Sequence, residues 1–334
     1  MKKKFVLFLF VLVLSAFICS AVVLTRAVAA TPPVGPDLQI HFGGSSPGAV
    51  MFYTVGAFSS SVTPRVPGIN ITNVTTGAAV DNVIRVAQGD LDLGITYAML
   101  AHQLITNTGI FTAPQWHGMG DDLTAVAIAY DSDFYFVAFR DSGIESIMDL
   151  NGRTVSTGAP GSGAQFLSNL VLDIFELDVN REHLAFADTV FAMREGRVEA
   201  LGVAGSPAGA ITELAETEDI IIIPWTREQI ERLIEVNPFF YADYMPPIYR
   251  GMDGPVLLPH FRNYIVANRN VPEQAMYDML YAAFQTDVLA EMILVHRNWE
   301  SFAGDCRAAT ELGIEVHPGA RRFFEENSWA PNNP

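Results

Sequence analysis

From Leu38 onward, short apolar runs alternate with longer amphipathic stretches, and that alternation leaves few folds open. Residues 38–42, Ile69–Val74 and Leu93–Tyr97 read as strands, while residues 49–60 and Ala79–Gln88 carry the spacing of helices. Strand, helix, strand in this order predicts an α/β fold, a mostly parallel sheet flanked by helices with right-handed crossovers. A second block, from about residue 131 to 235, repeats the grammar. Its strands are expected at 134–139, 153–156, 200–203 and 220–223, and its helices at about 162–176, 189–196 and 207–217. After residue 249 one good strand, 263–267, precedes helices that begin near Pro272, a proline suited to a helix start. One strand cannot form a sheet, so this last region must complete an earlier one. The expected organisation is a discontinuous lobe I from residues 37–129 plus 250–328, a lobe II inserted at 130–249, and a flexible tail at 329–334. A cleft between the lobes, at the carboxyl ends of the strands, is where such sheets place ligands.

The first thirty residues read differently. Lys2, Lys3 and Lys4 precede an apolar stretch to about Leu24, and Ala27-Val28-Ala29 has the small-x-small form of a cleavage site. This is a secretory signal over residues 1–29, with an uncleaved membrane anchor or a lipoprotein through Cys19 as alternatives. No later segment is long and apolar enough to span a membrane. Beyond the signal only Cys306 remains, so no internal disulfide forms despite export to an oxidising compartment. Lysine is absent beyond residue 4, and the mature part sets 16 arginines against 37 acids, a net charge near −21. Such a field disfavours nucleic acid and anionic lipid as partners.

Two glycine-rich turns carry the chemistry. Strand 38–42 runs into Gly43-Gly44-Ser45-Ser46-Pro47-Gly48 and then a helix, so backbone N–H groups and two hydroxyls meet at a helix start, an arrangement that receives anions. In the second block Gly158-Ala159-Pro160-Gly161-Ser162-Gly163-Ala164-Gln165 repeats it, with Ser162 able to cap the helix. Neither turn matches a nucleotide phosphate loop, since the lysine is missing, or the dinucleotide spacing. Two anion-receptive turns on two lobes suggest a carboxylate gripped on closure. Thr76, Gly77 and Tyr97 lie at strand ends on the same rim, Tyr53 can add an apolar wall, and Tyr249 lies near a crossing between lobes; no arginine clamp is essential, and Arg65, Arg85 and Arg140 are candidates set against the commoner reading of an arginine as a solvated surface residue. The expected ligand-binding set is Ser45, Ser46, Gly48, Tyr53, Thr76, Gly77, Tyr97, Gly161, Ser162, Gly163, Gln165 and Tyr249, with no catalytic residue, metal or cofactor. The literal G-x-S-x-G around Ser46 has the spacing of a hydrolase nucleophile elbow, but it follows the first strand of the mature chain rather than several strands and an oxyanion loop. Seven scattered histidines offer no metal-ligand pair. The pairs Asp121/Asp122 and Asp131/Asp133 read as solvated surface acids.

Taken in order, these pieces resemble the TAXI family, the TRAP-associated extracytoplasmic immunogenic solute receptors, over about residues 38–325. The likeness rests on the glycine-serine loop followed by Phe52-Tyr53, on Thr76-Gly77 with Asn82, and on Gly89-Asp90-Leu91-Asp92-Leu93-Gly94. It continues in Asp149-Leu150-Asn151-Gly152-Arg153, in the turn 158–163, and in Gly196-Arg197-Val198-Glu199-Ala200 leading to Gly205-Ser206-Pro207. The resemblance implies a two-lobed periplasmic binding protein fold of the second type and a monomeric, extracytoplasmic receptor. That receptor would deliver a small organic carboxylate, glutamate-like or an oxo-acid, to a TRAP permease driven by an ion gradient. Carried over residue by residue, the family's binding loops fall on Ser45, Ser46, Tyr53, Thr76, Tyr97, Ser162 and Gln165. Where relatives commonly carry more threonines in the first loop and a Gly-Ser pair after Thr-Gly, this chain has Ser45-Ser46-Pro47 and Ala78-Ala79, so a more apolar or differently shaped carboxylate is expected. A binding module feeding a sensor kinase and a secreted serine hydrolase acting through Ser46 are the alternatives.

Overall fold

A computed structural model describes residues 38–302 and 312–327. The signal at 1–29 with Cys19, the site of Cys306 and the tail at 329–334 fall outside the described residues, so those expectations are not addressed by it.

The chain opens with β1 (Leu38–Gly43), α1 (Val50–Val62), β2 (Ile69–Val74), α2 (Ala79–Gln88), β3 (Leu93–Tyr97) and α3 (Ala98–Thr106). β1 pairs in parallel with both β2 and β3, as the βαβ grammar requires. α2 shows how local sequence sets an element: Val83, Val86 and Ala87 face the core, and Gly89, at φ 81°, ends the helix in the left-handed conformation that glycine tolerates. β4 (Leu123–Phe139) follows, then β5 (Thr154–Ser156), α4 (Gly163–Ile174), β6 (Asn180–Glu182), α5 (Phe186–Arg194), β7 (Ala200–Ala204), α6 (Gly209–Thr217), β8 (Ile220–Ile222) and α7 (Arg227–Val236). The chain closes with β9 (Tyr241–Met245), β10 (Val256–Asn268), α8 (Glu273–Ala283), α9 (Thr286–Val295) and α10 (Pro318–Glu326).

The ten strands form one sheet, eight of them along the path β2-β1-β3-β10-β4-β7-β5-β6, with β8 on β4 and β9 on β10. Parallel cores lie at its two ends, β2-β1-β3 and β6-β5-β7, and helices flank both. The late strand completes the first of these cores, β10 lying antiparallel between β3 and β4. β4 joins the two halves. Its first part, to Asp133, pairs with β10, and from Phe134 it pairs with β7 and then β8.

The sequence pattern gave only residues 134–139 as strand there, because Asp131-Ser132-Asp133 has the composition of a turn. The strand runs through them because each polar side chain finds a partner: Asp131 lies 3.7 Å from Arg262, Ser132 accepts from Asn263 Nδ2 at 2.7 Å, and Asp133 accepts from the Ser206 hydroxyl. The expected border at 129/130 therefore falls inside an unbroken strand. Among the described residues no helix is long and apolar enough to cross a membrane.

Candidate functional site

The two parallel cores face each other across a cleft of about 680 Å³, counting its open mouth. Four helix starts reach it: Ser45, Ser46 and Ala49–Met51 before and in α1, Thr76–Ala78 before α2, Ser162–Ala164 at α4, and Leu184–Phe186 at α5. Tyr97, at the end of β3, and Leu201, Gly202 and Ala204 of β7 complete the wall. No lining residue carries a charge. Of these four only α4 has a side-chain cap, Ser162 Oγ accepting from Gln165 N at 3.0 Å; the N-caps of α1, α2 and α5 are Ala49, Ala78 and Ala185, none of which makes a side-chain cap bond. An alanine at an N-cap leaves the first-turn N–H groups to other acceptors, and each helix start carries a partial positive charge. The cleft therefore presents helix N-termini with no charged side chain in its lining, Asp81 and Asp188 standing in the first turns of α2 and α5 behind it.

Asparagines that sequence reasoning did not count as site residues build the first wall. Asn82, fully buried on α2, donates from Nδ2 to Gly43 O, Gly44 O and Ile95 O at 3.1, 2.9 and 2.9 Å. Asn73 Nδ2 donates to Phe52 O at 2.9 Å. These amides press against the double glycine: a β-carbon on Gly43 would stand 2.6 Å from Asn82 Oδ1, and one on Gly44 2.5 Å from Asn73 Oδ1. Gly43 and Gly44 are thus required by close approach. The sequence signal was an asparagine on the otherwise apolar face of α2.

Opposite parts of the cleft are in contact in this structure. A β-carbon on Gly163 would overlap the Tyr97 phenol, one on Gly209 would stand 3.1 Å from the Tyr53 ring, and one on Gly205 3.2 Å from Val50. Ala210 N donates to Gly48 O at 3.4 Å. Side chains from the first half thus seat on glycines of the second.

Of the expected binding residues, Ser45, Ser46, Thr76, Gly77, Tyr97, Ser162 and Gly163 line the cleft together. Thr76 Oγ1 donates to Gly44 O at 2.9 Å and accepts from Ala78 N at 3.1 Å, so it ties the two first-half loops to each other. Burial holds the Tyr97 phenol protonated, far above its ordinary pKa. Gly48 and Tyr53 lie at the closing contacts instead of in the wall, Tyr53 stacking on His296 with ring centroids 6.4 Å apart. Gln165 braces the second turn from behind, accepting from Gly161 N at 2.9 Å and meeting His183 Nδ1 at 3.2 Å.

Tyr249 is a core residue: its hydroxyl pairs with that of Tyr135 at 2.6 Å and accepts from Ala208 N at 2.8 Å. The three arginines named as candidates are engaged elsewhere, Arg65 with Glu291, Arg85 with Asp81 and Arg140 with Asp219. Hydrogen bonds of the histidines also lead away from Ser46: His41 to Asp92, His183 to Thr157, His296 to Pro207 and His317 to Val271.

One feature of the wall is strained. Ala78 sits at φ 77° and ψ −146°, a region that is essentially glycine's own and costs an alanine roughly 1–3 kcal/mol. A second correction concerns Asp133, expected on the surface. It is 3% exposed and lines a separate hollow with His260 and Asn298, and burial pushes its carboxyl up to about 6 against the opposing hydrogen bond from Ser206.

With this geometry in place, comparison with known proteins places the chain. Residues 42–327 match the model of the NMT1-like family. The chain belongs to the NMT1-like family. Solved structures similar to this NMT1-like chain include the alkanesulfonate-binding protein SsuA from Xanthomonas axonopodis pv. citri bound to MOPS, with 15% identity over 89% of this chain and 96% of that one and a TM-score of 0.50. The periplasmic binding protein BugD aligns with 9% identity over 88% of this chain and 99% of its own, with a TM-score of 0.52. At these identities the likeness establishes the fold: the NMT1-like chain has the mixed α/β architecture of periplasmic binding proteins, with its cleft between two parallel cores.

Proposed function

We propose that this NMT1-like protein is an extracytoplasmic, monomeric receptor that closes on a small organic carboxylate and passes it to a membrane permease of the TRAP type. The observation that carries the reading is the cleft itself, where four helix starts converge, three without a side-chain cap, and no charged side chain intervenes. Such a site favours an anion held by backbone N–H groups and hydroxyls. Val50, Met51, Leu184, Phe186 and Leu201 give it an apolar body. A few charge-assisted contacts worth roughly 1.5–3 kcal/mol each, with apolar burial, reach the roughly 8 kcal/mol of micromolar binding. The fold is shared with proteins named for alkanesulfonate binding and periplasmic binding, and the permease class follows from the TAXI resemblance. Lobe I (37–129 with 250–328) and lobe II (130–249) would move as units about β4 and the segment between β9 and β10.

The test is a thermal-shift screen of refolded protein against dicarboxylates, oxo-acids, aliphatic carboxylates and amino acids. A ligand at 100 times its dissociation constant adds about 2.7 kcal/mol of stability. A clear rise with a carboxylate supports the proposal, and silence across every acid sinks it.

A further inference from the structure

The strain at Ala78 and the electrostatics of the cleft lead in the same direction. Ala78 is the one alanine of the described residues at positive φ, and the other two non-glycine residues with positive φ, Asn107 and Glu176, lie outside the cleft lining. A glycine at 78 would adopt the same turn freely. The fold instead holds a methyl group in the wall, on the first turn that faces the ligand space.

Around it the cleft offers an ammonium group hydroxyl and carbonyl oxygens but no carboxylate. Its lining contains no Asp, Glu or His, and its helix starts present positive ends. The nearest acid in sequence, Asp81, has its carboxylate turned to Gly77 N at 3.0 Å and to Arg85 at 3.6 Å. In an α-amino acid the ammonium is bonded to the carbon beside the carboxylate. Helix starts that favour the carboxylate disfavour the ammonium beside it, and the Ala78 residue in the wall narrows the space for both.

Resting on the carboxylate reading above, we infer that Ala78 is a selectivity residue and that the cleft admits carboxylates lacking an α-ammonium group while excluding the matching amino acids. The ligand class is thereby narrowed to oxo-acids and unsubstituted acids with an apolar body. A buried site discriminates against one surplus group of this size by about tenfold or more.

Titration calorimetry on full-chain protein, refolded from denaturant to remove carried-over ligand, tests this with two matched pairs: 2-oxoglutarate against glutamate, and 4-methyl-2-oxopentanoate against leucine. The parent protein should bind at least one oxo-acid about tenfold more tightly than its amino partner, a difference of about 1.4 kcal/mol. Ala78→Gly should raise the unliganded Tm and lower that preference by about threefold or more. A rise in Tm with an unchanged preference would reduce Ala78 to a structural residue and overturn the inference. Equal or tighter binding of the amino acid by the parent would overturn it too, while leaving the carboxylate receptor intact. Silence with all four probes and with aliphatic acids would remove the carboxylate reading and the inference together.

Discussion

Asp133 is the side chain whose environment departs furthest from its composition-based expectation. Its carboxyl, at about 6 in the fold, stands above the 3.9 of an unfolded aspartate, so the native state binds more protons between those values and loses stability as pH rises through the window. The contribution is present below about pH 4 and gone above about pH 6, and it amounts to roughly 3 kcal/mol at most. Asp133→Asn keeps an oxygen for Ser206 and removes the charge. Its Tm should exceed the parent's by several degrees at pH 7.5, the gap closing near pH 4. His260, His296 and His317, all lowered by burial, tilt the parent's curve the other way by losing stability as pH falls. They are common to both proteins, so the difference between the two Tm curves reports Asp133 together with any response of His260 in the same hollow; a constant offset across the range would refute the assignment. Sequence could not reveal this residue, because its burial depends on Ser206, 73 positions away. Ser45, Thr76 and Ser162 were legible since each sits directly between a strand and a helix start, where the topology itself sets the rim. Tyr249 misled because a hydroxyl beside prolines looks the same in sequence whether it meets a ligand or Tyr135.

Among the elements, α4 carries one of the contacts across the cleft. Gly163 is its first residue and receives the Tyr97 ring. Gly163→Ala places a methyl where the Tyr97 phenol now lies, so this arrangement is reached only if one of the two shifts, and no gain in stability is expected. The added methyl meets Tyr97 and should weaken ligand binding by about tenfold or more, the scale of one methylene in a fitted site. Unaltered affinity in calorimetry would mean that the Tyr97 contact plays no part in the bound form.

Elements with strong periodicity were read to the residue, as at Ile69–Val74 and Ala79–Gln88. α7 lies outside the elements expected from sequence, although Ile230 and Leu233 have helical spacing and Thr226 and Gln229 form a capping box that marks its start. β9 was hidden for another reason: Tyr241–Met245 is half exposed and owes its strand form to pairing with β10.

At the scale of the molecule, the contacts of Tyr53, Val50 and Tyr97 on Gly209, Gly205 and Gly163 describe a shut cleft. If ligand holds it so, removing ligand should separate the halves about β4. Small-angle scattering of refolded protein should then show a larger radius of gyration without ligand than with a carboxylate identified by thermal shift. An identical radius in both states would leave closure without a role in binding. That the late strand completes the early sheet was legible from counting, since a lone strand needs a neighbour. Its place between β3 and β4 was not, because antiparallel insertion leaves no mark in local sequence.

That placement also governs how the molecule is made. β3 and the first part of β4 both wait for β10, which leaves the ribosome more than 150 residues after β3. Until then the first sheet has two unsatisfied edges and cannot reach its native pairing, whereas β5, β6 and β7 lie close together in the chain and can pair sooner. In a chain built this way the first sheet can be completed only after residue 268 of 334 has been made.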